Sequence, residues 1–377
     1  MLRYMTAGES HGKGIVVILD GMPSGLMLEE KFINTELTRR MFGYGRGGRM
    51  GIEKDRVEII GGVRKGNTIG SPVGMLIVNR DHKIDKLPDV TSPRPGHADL
   101  AGLQKYNLKD ARDVLERASA RETAGRVAAG AVAKLILREF DIKILSHVIK
   151  IGSVEARAGG LTFEKVLELT DESVSKVRCA DKEAEKLMCE EIDKAKKDGD
   201  TLGGVFEVMA VGLPPGLGTY AQWDRRLDAN LARALMSVPA VKAVEIGDGI
   251  ECAGRKGSRA HDAIQYNSGE KRFTRASNNA GGTEGGVTNG EPLILKGYMK
   301  PIATLGDPLA SVDINTKEES SAARERSDVT AVAAAGVVGE AVTALELASA
   351  FLEKFGGDSI EEIKRNYEGY LEQVRKI

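Results

Sequence analysis

The chain has 377 residues, enough for one large domain or two ordinary ones, and 41% of them are apolar, which excludes global disorder and permits a sizeable core. Its 54 basic and 55 acidic side chains leave a formal charge of −1, which excludes a global field that would recruit nucleic acid or an anionic membrane, so any electropositive site must be local. Cys179, Cys189 and Cys252 are widely spaced, match no metal-ligand pattern and leave one thiol unpaired if the other two bridge, a usage that fits a reducing cytoplasm.

The first residues, "MLRYMTAGESHGKGIVVILDG", lack a basic leader followed by a cleavable apolar run, and no later stretch reads as long and apolar enough to span a bilayer. The segment 14–20, "GIVVILD", reads as a buried strand, "GMPSG" as a turn, and 29–42 as an amphipathic helix with Phe32, Ile33, Leu37 and Met41 on one side. A strand-like "VEIIGGV" follows at 57–63, and 121–137 is an alanine-rich helix. Segment 163–197 is charge-laced and helical, with apolar residues at Val166, Leu169, Leu187 and Ile192, and reads as a surface insertion spanning about 160–198. Then the first order recurs: strand at 203–211, turn "GLPPGL", helix at 223–236, "VEIGDGI" at 244–250 and an alanine-rich helix at 328–348. A polar helix at 358–376 closes the chain.

Four similarities in one order, roughly 190 positions apart, point to an internal duplication, with pseudo-repeats at about 1–150 and 200–355; two ordinary α/β stretches are the other reading. Both alanine-rich helices carry small residues all round, which suits helices packed closely on each other or sandwiched between sheets. The expected fold is therefore α+β: a duplicated β-α-β sandwich with a central helical layer between sheets. No Pro/Ser-rich linker divides the halves, so a single domain over 1–377 is expected.

Glycine is abundant, 45 of 377, and sits in punctuated loops, which brings backbone close to something. In "FGYGRGGRM", 42–50, Gly43, Gly45 and Gly48 match G-x-G-x-x-G, but a helix precedes the match and a strand follows it, the reverse of a dinucleotide site. "GESHGKG", 8–14, is one residue short for a P-loop, and Gly14 stands where a hydroxyl should bind magnesium. An RNA-binding tract would need repeats or an aromatic-basic stripe. Arg39, Arg40, Arg46 and Arg49 at a helix end and glycine-rich turn can converge on one anion; a solvated basic face is the alternative.

Of five histidines, His11 and His97 lie in glycine-punctuated loops, where each is either a proton-transfer group or a hydrogen-bonded structural residue. His82, His147 and His261 read as structural or solvent-facing, and no histidine–carboxylate cluster argues for a metal. "RASARETAGR", 117–126, sets Arg117, Ser119, Arg121 and Arg126 at a helix start, whose free N–H groups favour an anion. Ser327 or Asp328 either caps the following helix or joins the site beside Arg326. "NNAGGTEGGVTNGEP", 278–292, is either a ligand-wrapping loop or a bare surface loop.

Taken together, "GESHG", "GYGRGGRM", "RPGHAD", "RASARETAGRVAAGA", "MSVPAVKAVEIGDG", "NNAGGTEGG" and "RSDVTAV" resemble the chorismate synthases nearly end to end. The resemblance implies a phosphate lyase of aromatic biosynthesis that converts 5-enolpyruvylshikimate 3-phosphate to chorismate by 1,4-elimination and requires reduced FMN. By the same resemblance His11 protonates the departing phosphate, His97 stabilises the reduced flavin, and Asp328 serves removal of the ring proton. It assigns substrate anions to Ser10, Arg40, Arg46, Arg49, Arg94, Ser119 and Arg121. Flavin contacts fall to Arg117, Ala118, Ser119, Pro239, Ala240, Gly285, Lys300, Pro301, Ile302, Ala303, Thr304 and Arg326. Arg40 and Arg46 could also take an NADP phosphate, but without an appended reductase domain NADPH is expected only indirectly, through an external flavin reductant. A cytoplasmic homotetramer that binds neither nucleic acid nor membrane is the implied assembly.

Overall fold

The computed structural model of the chain describes residues 2–47, 54–157, 161–171, 173–325 and 327–377. The first half builds a four-stranded antiparallel sheet in the order Arg3–Ala7, Gly14–Asp20, Val73–Val78, Val57–Gly61. Gly14–Asp20 is a strand as its sequence implies, but it is buried on one face only: Ile15, Val17 and Leu19 are inside while Val16 and Ile18 are exposed. Helices cover just one side of this sheet, so its β-branched residues alternate between core and surface. The second sheet has five strands, ordered Val241–Ile246, Leu293–Met299, Gly204–Val211, Lys143–Ile151, Val154–Glu155, again antiparallel.

Two long helices, Thr123–Arg138 and Val332–Phe355, run between the sheets. Their glycines explain how four layers fit. A Cβ on Gly125 would stand 3.0 Å from side-chain carbons of Ile15 and Thr6 of the first sheet, and one on Gly339 would stand 2.6 Å from the Phe206 ring of the second. Where the helices meet, a Cβ on Gly130 would lie 2.4 Å from that of Ala341. Small residues thus let each helix touch its sheet and its neighbour at once. The fold is mixed α+β, as expected, with sheets outside and helices at the centre. A second helix joins each: Glu30–Met41 packs on Thr123–Arg138, and Leu227–Met236 on Val332–Phe355.

Several boundaries differ from the sequence expectation. The helix expected over 223–236 starts at Leu227, after a short 3-10 turn at Trp223–Arg225. The stretch 244–250 is strand only to Ile246; Gly247, with φ of 57°, turns the chain into a short helix at Gly249–Ala253. The segment 163–197 forms two helices, Phe163–Leu169 and Lys182–Lys197. Val166 covers the outer face of the second sheet beside Leu145 and Met209, and Met188 and Ile192 enter the main core, while Leu187 is exposed. One helix, Val332–Phe355, is long and apolar enough to cross a membrane, contrary to the expectation that no stretch would be. Its apolar window is 78% buried, because both faces of a central-layer helix must be apolar.

That apolar layer contains a buried ionic cluster. Glu340 accepts from Arg39 Nη1 at 2.8 Å, Lys134 Nζ at 2.5 Å and Ser146 Oγ at 2.6 Å, and Arg178 lies 3.3 Å away. Glu36 accepts from Arg39 and Lys134 as well. Burial would push both carboxyls up, yet the surrounding cations hold them below the usual range. Buried charges persist because each is paired and hydrogen-bonded.

Candidate active site

A cavity of about 760 Å³ opens where both central helices begin, lined by Thr123 of one and by Ala331, Ala334 and Ala335 at the start of the other. Helix N-termini favour anions, so the backbone itself biases this end of the molecule toward negative charge. Among the described lining residues six cations, Arg40, Arg46, Lys83, Arg94, Arg121 and Lys300, outnumber two carboxylates, Glu325 and Asp328. Among the described lining residues there is no Phe, Tyr or Trp; Leu87, Met299, Ile302 and Val338 supply the apolar walls. A polyanion with a flat apolar body matches this composition.

The helix Glu30–Met41 ends just before Gly43 and Gly45, whose φ values of 134° and 82° turn the chain back over the cavity. Arg40 and Arg121 converge on Asp55: Nη2 of Arg40 lies 2.8 Å from one carboxylate oxygen and Nη1 of Arg121 2.5 Å from the other. Burial would raise the Asp55 carboxyl, but the two guanidinium groups outweigh it and hold it low. Arg121 also donates through Nε to Asn79 Oδ1 at 2.8 Å, and the Asn79 amide donates to the carbonyls of Glu9, Ser10 and Gly12. The anion-facing arginine and the loop that carries His11 are thereby one hydrogen-bonded unit.

His11 lies in a loop between two strands, which also explains why 8–14 is no phosphate cradle: no helix follows it. Its Nδ1 is 2.9 Å from Glu116 Oε1 and its backbone N–H donates to Glu116 Oε2 at 2.7 Å. His97 donates through Nδ1 to Asp99 Oδ1 at 2.5 Å, while Arg94 donates to Asp99 through Nε and to Thr304 through Nη1. Burial would raise the Asp99 carboxyl; the His97 and Arg94 hydrogen bonds hold it well below the usual range. Asp328 does not cap the following helix, whose first flanking residue, Ala331, makes no side-chain cap. Instead it accepts from the Gly47 N–H at 2.6 Å and pairs with Arg46 at 3.0 Å. Burial, aided by Arg40, lowers the Arg46 guanidinium from its ordinary value, with Asp328 opposing.

Most of the residues singled out from sequence meet here. Ser10, His11, Arg40, Arg46, Arg94 and His97 line the cavity, as do Ala118, Ser119, Arg121 and Asp328. Pro239, Ala240, Lys300, Ile302, Ala303 and Thr304 close its far side, with Pro301 within that run but outside the lining. Ser119 donates to Ser10 at 3.2 Å. Arg117 and Arg126 instead face an adjoining depression of about 440 Å³ that shares Ala118, Ser119 and Pro239 with the main cavity. Gly285 lies at the turn between Thr283–Glu284 and Val287–Thr288, beside Tyr220 and away from the cavity. Gly48, Arg49 and Arg326 lie outside the described residues. Arg39 belongs to the buried ionic cluster, His147 is buried against Glu207, and His82 and His261 line neither cavity.

Three carboxylates that partner cavity-lining residues escaped the sequence reading. Asp99 had a signal, since it follows His97 by two residues and Arg94 by five; Glu116 adjoins the "RASARETAGR" motif. Asp55 had none, because only the tertiary fold brings it to Arg40 and Arg121.

Comparisons with known proteins agree with this geometry. The family model described as chorismate synthase matches residues 2–352. The chorismate synthase of Carboxydothermus hydrogenoformans is 57% identical over 385 residues, covering 99% of both chains. That of Koribacter versatilis is 54% identical over 393 residues, covering both chains completely. A solved structure titled as a crystal structure of chorismate synthase is 44% identical, with a TM-score of 0.83 over 100% of this chain and 99% of the other.

Proposed function

Because this chain belongs to the chorismate synthase family, and is thus a lyase that eliminates phosphate from 5-enolpyruvylshikimate 3-phosphate to give chorismate in the shikimate pathway, we propose how its own residues carry that reaction. The observation that carries the reading is one cavity, at the N-termini of two helices, that gathers six cations with His11, His97 and Asp328. Arg40, Arg46, Arg94 and Arg121, with Ser10 and Ser119, hold the phosphate and carboxylates of the substrate; Arg49 shares this role. Guanidinium forks suit such groups because they bind bidentately. His11 supplies a proton to the departing phosphate oxygen, and Asp328 serves removal of the ring proton.

The family's requirement for reduced flavin fits the site: bound there, FMN would supply electron density to ease loss of phosphate from an allylic carbon and removal of a weakly acidic hydrogen. The lining fits such a group: aliphatic walls, a cationic floor and glycine-permitted close approach. A Cβ on Gly47 would come within 2.9 Å of the Ser327 carbonyl, and Lys300 reaches the Gly96 carbonyl at 2.8 Å. Ala118, Ser119, Pro239, Ala240 and the run 300–304 would hold it, with Arg117 and Arg326 as further contacts; Gly285, away from the cavity, is not among the residues that would hold it in this chain. His97, oriented by Asp99, faces the same space and would stabilise negative charge there.

NADPH enters this reading only as an external source of reduced flavin, although Arg40 and Arg46 could take its phosphate. A cytoplasmic homotetramer is the assembly proposed. Asp328→Asn tests the central assignment: with anaerobically reduced FMN, phosphate release should fall at least a hundredfold while substrate and flavin binding stay within threefold. Normal turnover in that variant would remove Asp328 from the mechanism. For the reductant, an aerobic assay with NADPH and FMN but no reductase should yield little chorismate, and robust activity would show intrinsic flavin reduction.

A further inference from the structure

His11 is held from behind rather than from the cavity. The ring belongs to a loop pinned at three points: Ser10 N–H donates to the Glu116 carbonyl at 2.9 Å, His11 N–H to the Glu116 carboxylate, and the His11 carbonyl accepts from the amides of Lys83 and Ile84. Glu116 is on the last turn of the helix Ala111–Ala118, its side chain fully buried, and its second contact is the ring itself, through Nδ1 at 2.9 Å. With Nδ1 committed to a carboxylate, the proton on that nitrogen points away from the cavity, and Nε2 is the atom left to meet a ligand. Its distance to Asp81 Oδ2 is 4.0 Å, beyond a direct hydrogen bond.

We propose that Glu116 is a positioning residue that fixes the His11 ring through Nδ1 and stabilises its doubly protonated form, so that Nε2–H can be surrendered to the departing phosphate oxygen. This rests on His11 being the acid in the reading above. As the carbon–oxygen bond breaks, its electron pair goes to the phosphate oxygen and the Nε2 proton follows. His11 is left neutral with Nδ1–H still donated to Glu116, whose own charge does not change. Burial would push the Glu116 carboxyl up, but hydrogen bonds from the His11 ring and backbone hold it below its ordinary value, so the partner is an anion. Other charges face this pair: Arg112, 3.7 Å from Glu116 and bridged to Glu325 at 2.9 Å, and Asp81, paired with Lys83 at 3.0 Å. Among the described charges Glu116 is the one within hydrogen-bond distance of the ring.

A carboxylate serving only to fasten the loop would keep its bond to the backbone N–H and leave the ring's proton affinity alone. Glu116→Gln separates the two roles, since the amide oxygen can still accept one bond but the charge is gone. The experiment uses the full chain with anaerobically reduced FMN and measures kcat from pH 5.5 to 9. In parallel, without substrate, it follows carbethoxylation of His11 by diethyl pyrocarbonate, which attacks the unprotonated ring, in the mass spectrum of the His11 peptide.

Removal of the charge should move both the alkaline limb of kcat and the reactivity midpoint of His11 about one pH unit lower. It should cost roughly tenfold to a hundredfold in kcat near pH 8, with KM within threefold. Glu116→Asp retains the charge at a greater distance, so it should recover most of the midpoint while losing rate, and it answers the question if the Gln variant does not fold. A His11 midpoint that moves while the kcat limb stays supports the Glu116 role and removes His11 as the acid. An unchanged midpoint in a folded variant overturns the proposal.

Discussion

Arg39 donates both of its terminal nitrogens to Glu340, Nη1 to Oε2 at 2.8 Å and Nη2 to Oε1 at 2.9 Å, so the helix that delivers Arg40 to the cavity is locked to the centre of the protein. Consecutive residues thus split their work: Arg39 faces the core and Arg40 faces Asp55 and the site. Glu340→Gln should leave Arg39 and Lys134 with Glu36 as the carboxylate they still share and cost about 3–5 kcal/mol, since removing one charge of a buried cluster leaves its partners undercompensated. Chemical denaturation checks this, and a loss below about 1 kcal/mol would show that the cluster relaxes.

The same carboxyl sets a pH dependence. Glu340 is held below its ordinary value near 4.5: burial alone would raise it, and Arg39 and the other cations more than reverse that. A depressed folded-state value contributes stability above the unfolded value and loses it as pH falls through the folded one. The chain should therefore lose stability progressively below about pH 4.5, and Glu340→Gln should flatten that acid limb. An equally steep limb in the variant would assign the effect to the other carboxyls held low, Glu36, Asp55, Asp99 and Glu116.

Asp55 holds Arg40 and Arg121 side by side, one oxygen to each, before any ligand arrives. Two guanidinium groups so close repel unless a charge lies between them, so Asp55→Asn should splay them and weaken substrate capture more than the chemical step. KM is expected to rise tenfold or more with kcat changed less than threefold. A fall in kcat at unchanged KM would mean that Asp55 acts on the reaction itself.

What the sequence made legible follows from range. Gly14–Asp20 was readable as a strand because a short β-branched run is a local signal, although its burial on one face only was not, and Thr123–Arg138 was readable because its small-residue faces are local. The arginines and histidines of the site were readable because they stand in glycine-rich loops or at helix ends beside them. Their counter-ions were not: a carboxylate such as Asp55 has no local mark among 55 acidic residues, and its meaning comes from partners 15 and 66 positions away. Helix Lys182–Lys197 misled for a related reason, since its charges announce a surface while Met188 and Ile192 fill the core on the other side. Gly285, given a flavin contact by resemblance, sits in a hairpin away from the cavity of its own chain.

Gly130 tests the four-layer packing. Alanine is the better helix former by about 1 kcal/mol, so at an ordinary position the exchange would stabilise. Here the new Cβ would meet Ala341, and the central helices would have to part, which costs about 1–3 kcal/mol and opens space against both sheets. Gly130→Ala should lower the melting temperature, and a rise would mean that the helices are less tightly coupled than their glycines imply.

Gly47 joins the backbone to the chemistry more directly. Its N–H donates to Asp328 Oδ1 at 2.6 Å, and a Cβ there would stand 2.9 Å from the Ser327 carbonyl and 3.3 Å from that same carboxylate oxygen. The carbonyl is main chain and cannot rotate aside, so Gly47→Ala must shift the segment that carries Asp328. A displacement of a few tenths of an ångström is small for binding, which is shared among several arginines, but large for a proton transfer that depends on one oxygen. The expected result is a kcat reduced at least tenfold, KM within threefold and an unchanged melting temperature. If KM rose while kcat held, the glycine would matter for anion capture, and Asp328 would tolerate more freedom than its two close partners suggest.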